Sequence, residues 1–170
     1  NRIAPGVIQH LDHGLVMLGE FQRWPEPRTH DLASMFKHAG VVCKVSEQLA
    51  YAHWEKLVWN IPFNGLGVAS AAGYEAMMAP AGVSPSSHQP CLTTNQLLDS
   101  GKWETLVREL MLEVIAAANA LGHKLEPALA DKMIERTRTM GAYKASTLLD
   151  FERGQPLELG SLFLEPLRQA

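Results

Sequence analysis

The sequence has few cysteines and no long apolar run, and each absence excludes a class of protein. Its two cysteines, Cys43 and Cys91, have no CxxC spacing, which fits reduced intracellular thiols better than a disulfide framework. No apolar run approaches the roughly 18 residues of a membrane span. Charged and polar residues also interrupt the first twenty positions, so no signal peptide is recognised. We therefore expect a cytoplasmic protein without a membrane-spanning segment.

Blocks of like charge are also missing. The 15 basic and 18 acidic residues are interspersed and give a formal net charge of −3, so the charge pattern of a nucleic-acid binder is absent. With 170 residues, 46% of them apolar, the chain can form one medium domain, or one domain and part of another. We expect small-molecule or protein partners and no nucleic acid.

The first 45 residues have the pattern of an α/β sheet. Two short apolar runs, Gly6–His10 and Leu15–Phe21, flank Asp12 and Gly14, which suit a tight turn and predict a β-hairpin. A helix is predicted to begin near Pro27 and to end at Gly40. Its predicted buried face contains Leu32, Met35, Phe36 and Ala39.

A strand at Val41–Val45 is predicted to follow this helix. Three strands and one helix are too few to close a sheet that is covered on both faces. Residues 1–45 therefore resemble the end of a larger domain.

From Ser46 onward the pattern predicts helices only, about six of them, in a bundle. The first contains Pro62, which should kink or end it. The least regular part is Gly73–Thr94, a predicted loop with short helical turns at its two ends. The longer predicted helices are about Glu47–Ser70, Lys102–Leu121, Pro127 to Met140, Ser146–Arg153 and Leu159–Arg168. Gly122 is expected to stop the second of these, and its predicted buried face is Leu106, Leu110, Val114, Ala117, Ala118 and Leu121.

Three polar residues spaced four apart interrupt the apolar first helix of this bundle. Lys56, Asn60 and Asn64 fall within an arc of roughly 80° and span about 12 Å of helix. Such groups need partners, and the simplest assignment is that the lysine reaches solvent while the amides cap neighbouring helices. A second polar segment has a hydroxyl at a helix start, Ser146, and a carboxylate twelve residues later, Glu158.

Other motifs carry less chemistry. His10-Leu11-Asp12-His13 has the spacing of metal ligands, but no third ligand is evident and we expect no metal site. Gly65-Leu66-Gly67 follows a helix, not a strand, and lacks a third glycine, so it predicts close helix packing and not a dinucleotide fingerprint. Glu109 and Glu113 are predicted to be solvated.

Taken together, the two polar segments resemble the C-terminal domain of the ketopantoate reductase family, the NADPH-dependent 2-dehydropantoate 2-reductases of pantothenate biosynthesis. The resemblance covers almost the whole chain. Its segments, in order, are Pro5-Gly6-Val7 and the residues to Gly19-Glu20, Trp54-x-Lys56-Leu57 with Asn60 and Asn64, Glu113 with residues 116–122, and Ser146 to Glu158.

The resemblance implies a mostly α fold in two parts. Residues 1–45 would be the C-terminal remnant of a dinucleotide-binding Rossmann-type domain. Residues 46–170 would be an all-helical substrate-binding and catalytic domain, a bundle of the 6-phosphogluconate dehydrogenase C-terminal-like type. The family usually continues beyond the position of Arg168 with a further helix, so one wall of the bundle is expected to be missing.

The resemblance also implies a role for each residue of the two polar segments. Lys56 would be the general acid that holds the substrate keto oxygen and protonates it as hydride reaches the carbon. Glu158 would orient Lys56 and keep it protonated. Asn60 and Asn64 would bind the hydroxyl and keto region of the substrate, and Ser146 would contact its carboxylate.

NADPH is the implied cofactor, bound mainly by a preceding domain, because the glycine-rich phosphate loop is absent from this sequence. The chain is then expected to be inactive alone, and a homodimer through the helical domain is possible. The resemblance leaves open which 2-keto acid is the substrate and whether NADPH or NADH is preferred. The alternatives are a non-catalytic helical dimerisation module and a dehydrogenase of β-hydroxy acids or opines, against which the spacing from Ser146 to Glu158 argues.

Overall fold

The computed structural model describes residues 2–9, 14–21, 23–80, 89–99 and 101–170. The chain divides into two compact units, residues 1–53 and residues 54–170. The division falls inside a long helix, whereas the domain boundary predicted from the sequence lies between residues 45 and 46. The assignment of the two parts to a dinucleotide-binding remnant and a substrate domain stays a prediction.

The first unit contains two small sheets. Strands β1 (Arg2–Ala4) and β2 (Val7–Ile8) pair antiparallel around Gly6, whose φ of 73° lies in the left-handed region that glycine adopts without strain. Strands β3 (Leu15–Leu18) and β4 (Val42–Val45) pair in parallel, with Leu15 opposite Val42. Parallel strands need a crossover, and here helix α1 (Pro27–His38) provides it.

The predicted hairpin between Gly6–His10 and Leu15–Phe21 is therefore wrong. The tight turn lies one strand earlier, between Ala4 and Val7, and β3 takes its partner from beyond α1. Asp and Gly suit many kinds of loop, so residues 11–14 did not specify which strands pair. Residues 10–13 lie outside the described residues. The predicted strand Val41–Val45 is confirmed as β4.

The predicted buried face of α1 is also wrong. Leu32, Met35 and Phe36 are 47%, 67% and 38% exposed, and Ala39 is exposed too. The helix packs against β4, and its buried residues are the small ones, Thr29 and Ala33. Periodicity finds an apolar face but does not tell which layer, if any, covers it.

Among the described residues the second unit contains helices and no strand. Helix α2 crosses the division between the units, and α4 packs against both α5 and α6. The elements are α2 (Leu49–Ala69), a 3₁₀ turn (Ser70–Ala72), α3 (Tyr74–Met78), α4 (Thr94–Asp99), α5 (Gly101–Ala120), α6 (Ala128–Arg138), α7 (Ser146–Glu152), a π-helical turn (Gly160–Leu164) and α8 (Glu165–Gln169). The predicted mostly α fold with a small α/β part is confirmed.

Helix α2 does not end at Pro62 but continues for another seven residues. The short helical turns predicted at the two ends of the loop are confirmed as α3 and α4. Residues 81–88, in the middle of this loop, lie outside the described residues. No helix of the described part is long and apolar enough to cross a membrane.

The core of the second unit lies between α2, α5 and the shorter helices. Helix α5 occupies the predicted span, and Gly122, with φ of 91°, follows its end as expected. Its buried face is Trp103, Val107, Met111, Val114, Ile115 and Ala118, so Leu106 and Leu110 of the predicted face are only half-buried and Leu121 is 44% exposed. The apolar face of α5 is broad, so either of two adjacent parts of it can be buried by rotating the helix about its axis. The neighbouring helices determine which part is buried.

Candidate functional site

The polar stripe of α2 runs from solvent into the core. Lys56 is exposed, Asn60 is half-buried and Asn64 is 2% exposed. All three lie on one continuous helix, so their side chains follow each other at successive turns. The stripe thus has an exposed end at Lys56 and a buried end at Asn64.

The carboxamide of Asn64 is hydrogen bonded at both of its polar atoms. Its Oδ1 accepts from the backbone N–H of Thr147 at 3.0 Å and from the hydroxyl of Ser146 at 3.3 Å. Its Nδ2 donates to the backbone carbonyl of Asn60 at 3.0 Å. The structure therefore brings together Asn60, Asn64 and Ser146, three of the residues predicted from the sequence.

These bonds connect α2 to the beginning of α7. The residue before α7 is Ala145, which has no side-chain group to cap the helix. Asn64 takes that role from a different helix, by accepting the first-turn N–H of Thr147. Sequence reasoning missed Thr147, and the available signal was the alanine at a position where Ser, Thr, Asp or Asn is preferred.

The glycines after Asn64 let other elements approach α2. A Cβ on Gly65 would lie 3.2 Å from the ring of Phe163, in the π-helical turn. A Cβ on Gly67 would lie 3.6 Å from the carbonyl of Leu92 and 3.8 Å from the side chain of Leu148, in α7. Close packing, as predicted, is confirmed at Gly65, while Gly67 leaves room for a methyl group.

Three of the predicted site residues form no side-chain hydrogen bond or ion pair with another described residue: Lys56, Asn60 and Glu158. Within the described ranges, neither Lys56 nor Glu158 has an ion-pair partner, and the Asn60 carboxamide has no hydrogen bond. Glu158 is exposed and lies two residues before the π-helical turn. The predicted pairing of Lys56 with Glu158 is not present as a direct contact, and the roles of both residues stay predictions.

Trp59, next to Asn60 in sequence, is turned toward α6. Its Nε1–H donates to the hydroxyl of Thr137 at 2.8 Å, and the centre of its ring lies 4.9 Å from the centre of the Phe63 ring. The hydroxyl of Thr137 in turn donates to the carbonyl of Met133. The largest side chain near the stripe thus links α2 to α6.

A separate cleft of about 370 Å³ lies at the other end of α2. Its lining includes Ser70, Tyr74, Lys102 and Trp103. Lys102 is already paired with Glu75 at 2.9 Å and lies 4.5 Å from the centre of the Tyr74 ring. The cleft contains none of the residues predicted for the site.

In the part of the chain that the structure describes, no group of three or more His, Cys, Asp or Glu side chains could hold a metal ion. His10, Asp12 and His13 lie outside that part.

Comparison with known proteins gives a family match over more than half of the chain. Residues 77–170 match the family model described as "Ketopantoate reductase PanE/ApbA C terminal". This range includes Ser146 and Glu158 but not the stripe of α2, which precedes it.

Similar proteins extend the match to the whole chain. A curated 2-dehydropantoate 2-reductase of Nostoc sp. is 30% identical over 100% of this chain and 49% of its own length. Two crystal structures have a TM-score of 0.81 and cover 99% of this chain. They are the 2-dehydropantoate 2-reductases of Geobacter metallireducens, 40% identical, and Methylococcus capsulatus, 33% identical. The chain covers 50% and 47% of those two proteins, so it spans about half the length of the relatives it matches.

Proposed function

Because the chain belongs to the ketopantoate reductase family, we propose that it supplies the substrate-binding and acid-catalytic groups of an oxidoreductase that reduces a 2-keto acid to a 2-hydroxy acid. 2-Dehydropantoate is the first substrate to test. The proposal includes NADPH as the hydride donor. Two observations support it: Lys56 and Asn60 lie one turn apart on α2, and Ser146 is bonded to Asn64 of the same helix. A cation, an amide and a hydroxyl are groups suited to binding a small 2-keto acid anion.

The observation that carries the proposal is the bond between Asn64 and the start of α7. It fixes Ser146 to the helix that bears Lys56 and Asn60. Lys56 and Asn60 have no partner for their polar side-chain groups among the described residues, so both are available to a ligand. A buried anchor beside free polar groups is the arrangement expected of a preorganised binding site.

One connection in the described part has the position of a dinucleotide phosphate site but not its residues. The connection from β3 to α1, where a parallel β-α unit would hold a pyrophosphate, carries the carboxylates of Glu20 and Glu26 and has no glycine-rich loop. Those carboxylates are paired with Arg23 and Arg28.

The chemistry assigned to Lys56 follows from charge. When the keto carbon is reduced, negative charge develops on its oxygen, and an ammonium group about 3 Å away stabilises that charge. The same group then gives its proton to the oxygen and forms the hydroxyl of the product. Asn60 would orient the polar groups beside the keto carbon, and Ser146 would contact the carboxylate.

Glu158 is proposed to orient Lys56 when the substrate is bound. Both side chains are exposed and have no ion-pair partner among the described residues, so neither is held by a competing charge. A carboxylate near the ammonium group would keep it protonated between turnovers. Glu158→Gln should then lower kcat more than it raises KM.

The decisive test is the substitution Lys56→Ala in the full-length protein, assayed with a panel of 2-keto acids and both NADPH and NADH. Loss of a general acid costs about 10²- to 10⁴-fold in rate, so kcat/KM should fall by that amount. Lys132→Ala is the matched control, because Lys132 is an exposed lysine of α6 with no ion-pair partner among the described residues. A near-normal rate for Lys56→Ala would refute the assignment.

A homodimer through the helical domain is part of the proposal. It would be tested by light scattering of the full-length protein across a concentration series. A monomer at all concentrations would contradict it.

A further inference from the structure

We propose that the cleft at the C-terminal end of α2 is a second ligand site, which binds a small carboxylic acid with a short hydrocarbon chain. The cleft has a volume of about 370 Å³, within the range of small-molecule sites, about 300–1,000 Å³. None of the residues of the polar stripe of α2 lines it, so the site does not depend on the proposed function.

One wall of the cleft is fixed by hydrogen bonds between the 3₁₀ turn and the segment that precedes α4. The backbone N–H of Gln89 donates to the carbonyl of Ala71 at 2.7 Å, and that of Leu92 donates to the hydroxyl of Ser70 at 2.9 Å. The Ser70 hydroxyl in turn donates to the carbonyl of Gly67 at 2.8 Å, which anchors the wall to α2. Because these bonds set the shape of the wall before a ligand binds, they lower the entropic cost of binding.

The cleft offers a ligand the indole N–H of Trp103. This residue lies in the first turn of α5 and is only 6% exposed, and its Nε1–H has no hydrogen-bond partner among the described residues. In that part of the chain no fully buried side-chain nitrogen or oxygen lacks a partner, so Nε1 keeps some access to solvent, and Trp103 lines the cleft. An indole N–H can only donate, so it favours a ligand that brings an acceptor oxygen.

Lys102 determines the charge that this acceptor should have. Its ammonium group lines the same cleft as Trp103 and is paired with Glu75 at 2.9 Å. The side chains of Lys102 and Glu75 are 51% and 87% exposed, so the ion pair between them is weak. A ligand carboxylate can replace the Glu75 carboxylate on Lys102 and also accept the N–H of Trp103. We therefore expect an anionic ligand that competes with an internal carboxylate.

The hydrocarbon chain of the ligand would contact an aromatic corner. The rings of Tyr74 and Trp103 meet edge to face at 89°, with their centres 5.1 Å apart. Perpendicular rings do not form two parallel plates, so the corner suits a short branched chain better than a flat ring. Leu92 and Ala76 add apolar lining. A cationic ligand would have to displace Lys102 from the face of Tyr74, where its Nζ lies 4.5 Å from the ring centre.

The test follows the indole N–H signal of Trp103 by nuclear magnetic resonance in the full-length protein with isotope-labelled tryptophan. Loss of this signal in Trp103→Phe assigns it. The probe is isovalerate, and its neutral counterpart with the same carbon chain is isovaleramide. Isovalerate should shift the signal in a saturable manner, with a dissociation constant at least tenfold lower than that of the amide. Equal responses to the two compounds, or no response to either, would overturn the inference.

Two exposed residues of the cleft give variants with opposite effects. Lys102→Met removes the cation and keeps a hydrocarbon chain, so it should weaken isovalerate binding about tenfold. Glu75→Gln removes the competing carboxylate and should strengthen binding by up to about fivefold, as expected for an exposed ion pair. Lys132→Met is the matched control, because Lys132 does not line the cleft, and it should leave binding unchanged. Unchanged or weaker binding to Glu75→Gln would refute the inference, because that carboxylate would then not compete with the ligand.

One more variant separates this cleft from the proposed substrate site. The Trp103 signal should respond to isovalerate in Lys56→Ala as it does in the wild type, because Lys56 does not line the cleft. Loss of the response in Lys56→Ala would show that the signal reports binding at the substrate site, and would overturn the inference. A full-length protein that reduces no 2-keto acid would overturn the proposed function and leave the second site standing.

Discussion

Replacing each of two glycines of α2 by alanine should stabilise the protein at Gly67 but not at Gly65. A glycine inside a helix costs about 1 kcal/mol relative to alanine, so each substitution starts with a gain of that size. At Gly67 the new methyl group would meet Leu92 and Leu148 at 3.6 and 3.8 Å, which are ordinary contacts. Gly67→Ala should therefore stabilise the protein by about 0.5–1 kcal/mol.

At Gly65 the same gain is opposed by a close contact. The methyl group would lie 3.2 Å from the ring of Phe163, so the ring or the helix must move. Overpacking of this kind costs about 1–3 kcal/mol, which leaves Gly65→Ala neutral or destabilising by up to about 2 kcal/mol.

Urea denaturation followed by far-UV circular dichroism would measure both glycine variants, and the variant Phe163→Leu provides the control. If the clash is with this ring, Gly65→Ala and Phe163→Leu together should cost less than the sum of the separate changes. Equal stabilisation by Gly65→Ala and Gly67→Ala would refute the assignment of close packing to Gly65.

Two further predictions concern hydrogen-bonded side chains. Donation from the Arg28 guanidinium and the Thr29 hydroxyl lowers the pKa of Glu20 from 4.5 to about 2, so its stabilising effect is complete above pH 4.5 and is lost as pH falls toward 2. The amides of α1 should be less protected from hydrogen exchange in Glu20→Gln than in the wild type at pH 6, and equally protected near pH 2. A difference that does not change with pH would contradict this. Asn119 donates to and accepts from the backbone of Leu125, at 2.9 and 2.5 Å, so Asn119→Ala should cost about 1–2 kcal/mol in urea denaturation. Asn119→Asp, which keeps the acceptor, should cost about half as much, and equal losses would contradict the assignment.

Local sequence signals predicted where the helices lie, but they did not predict which strands pair or which helix faces are covered. Gly40 and Gly122 follow helices as the sequence indicated, and both have positive φ. The strands at Leu15 and Val42 were also recognised, but which strands pair depends on a crossover through α1 that no local pattern encodes. The same limit explains the exposed apolar face of α1, because covering a face requires a second layer from elsewhere in the chain.

The candidate site shows this limit most clearly at Asn64. Helical spacing placed Asn64 on a polar stripe. The simplest assignment from the sequence was that such amides cap neighbouring helices, and this describes the contacts that Asn64 makes. The family resemblance singled out Asn64 and Ser146 as site residues, and the structure places them 3.3 Å apart. Neither approach identified the backbone N–H of Thr147 as the donor to Asn64. When another helix supplies the cap, the only signal in the sequence is a residue that cannot cap its own helix, here Ala145. A capping role and a role in the site are therefore compatible at one residue, because the helix that Asn64 caps is the one that carries Ser146.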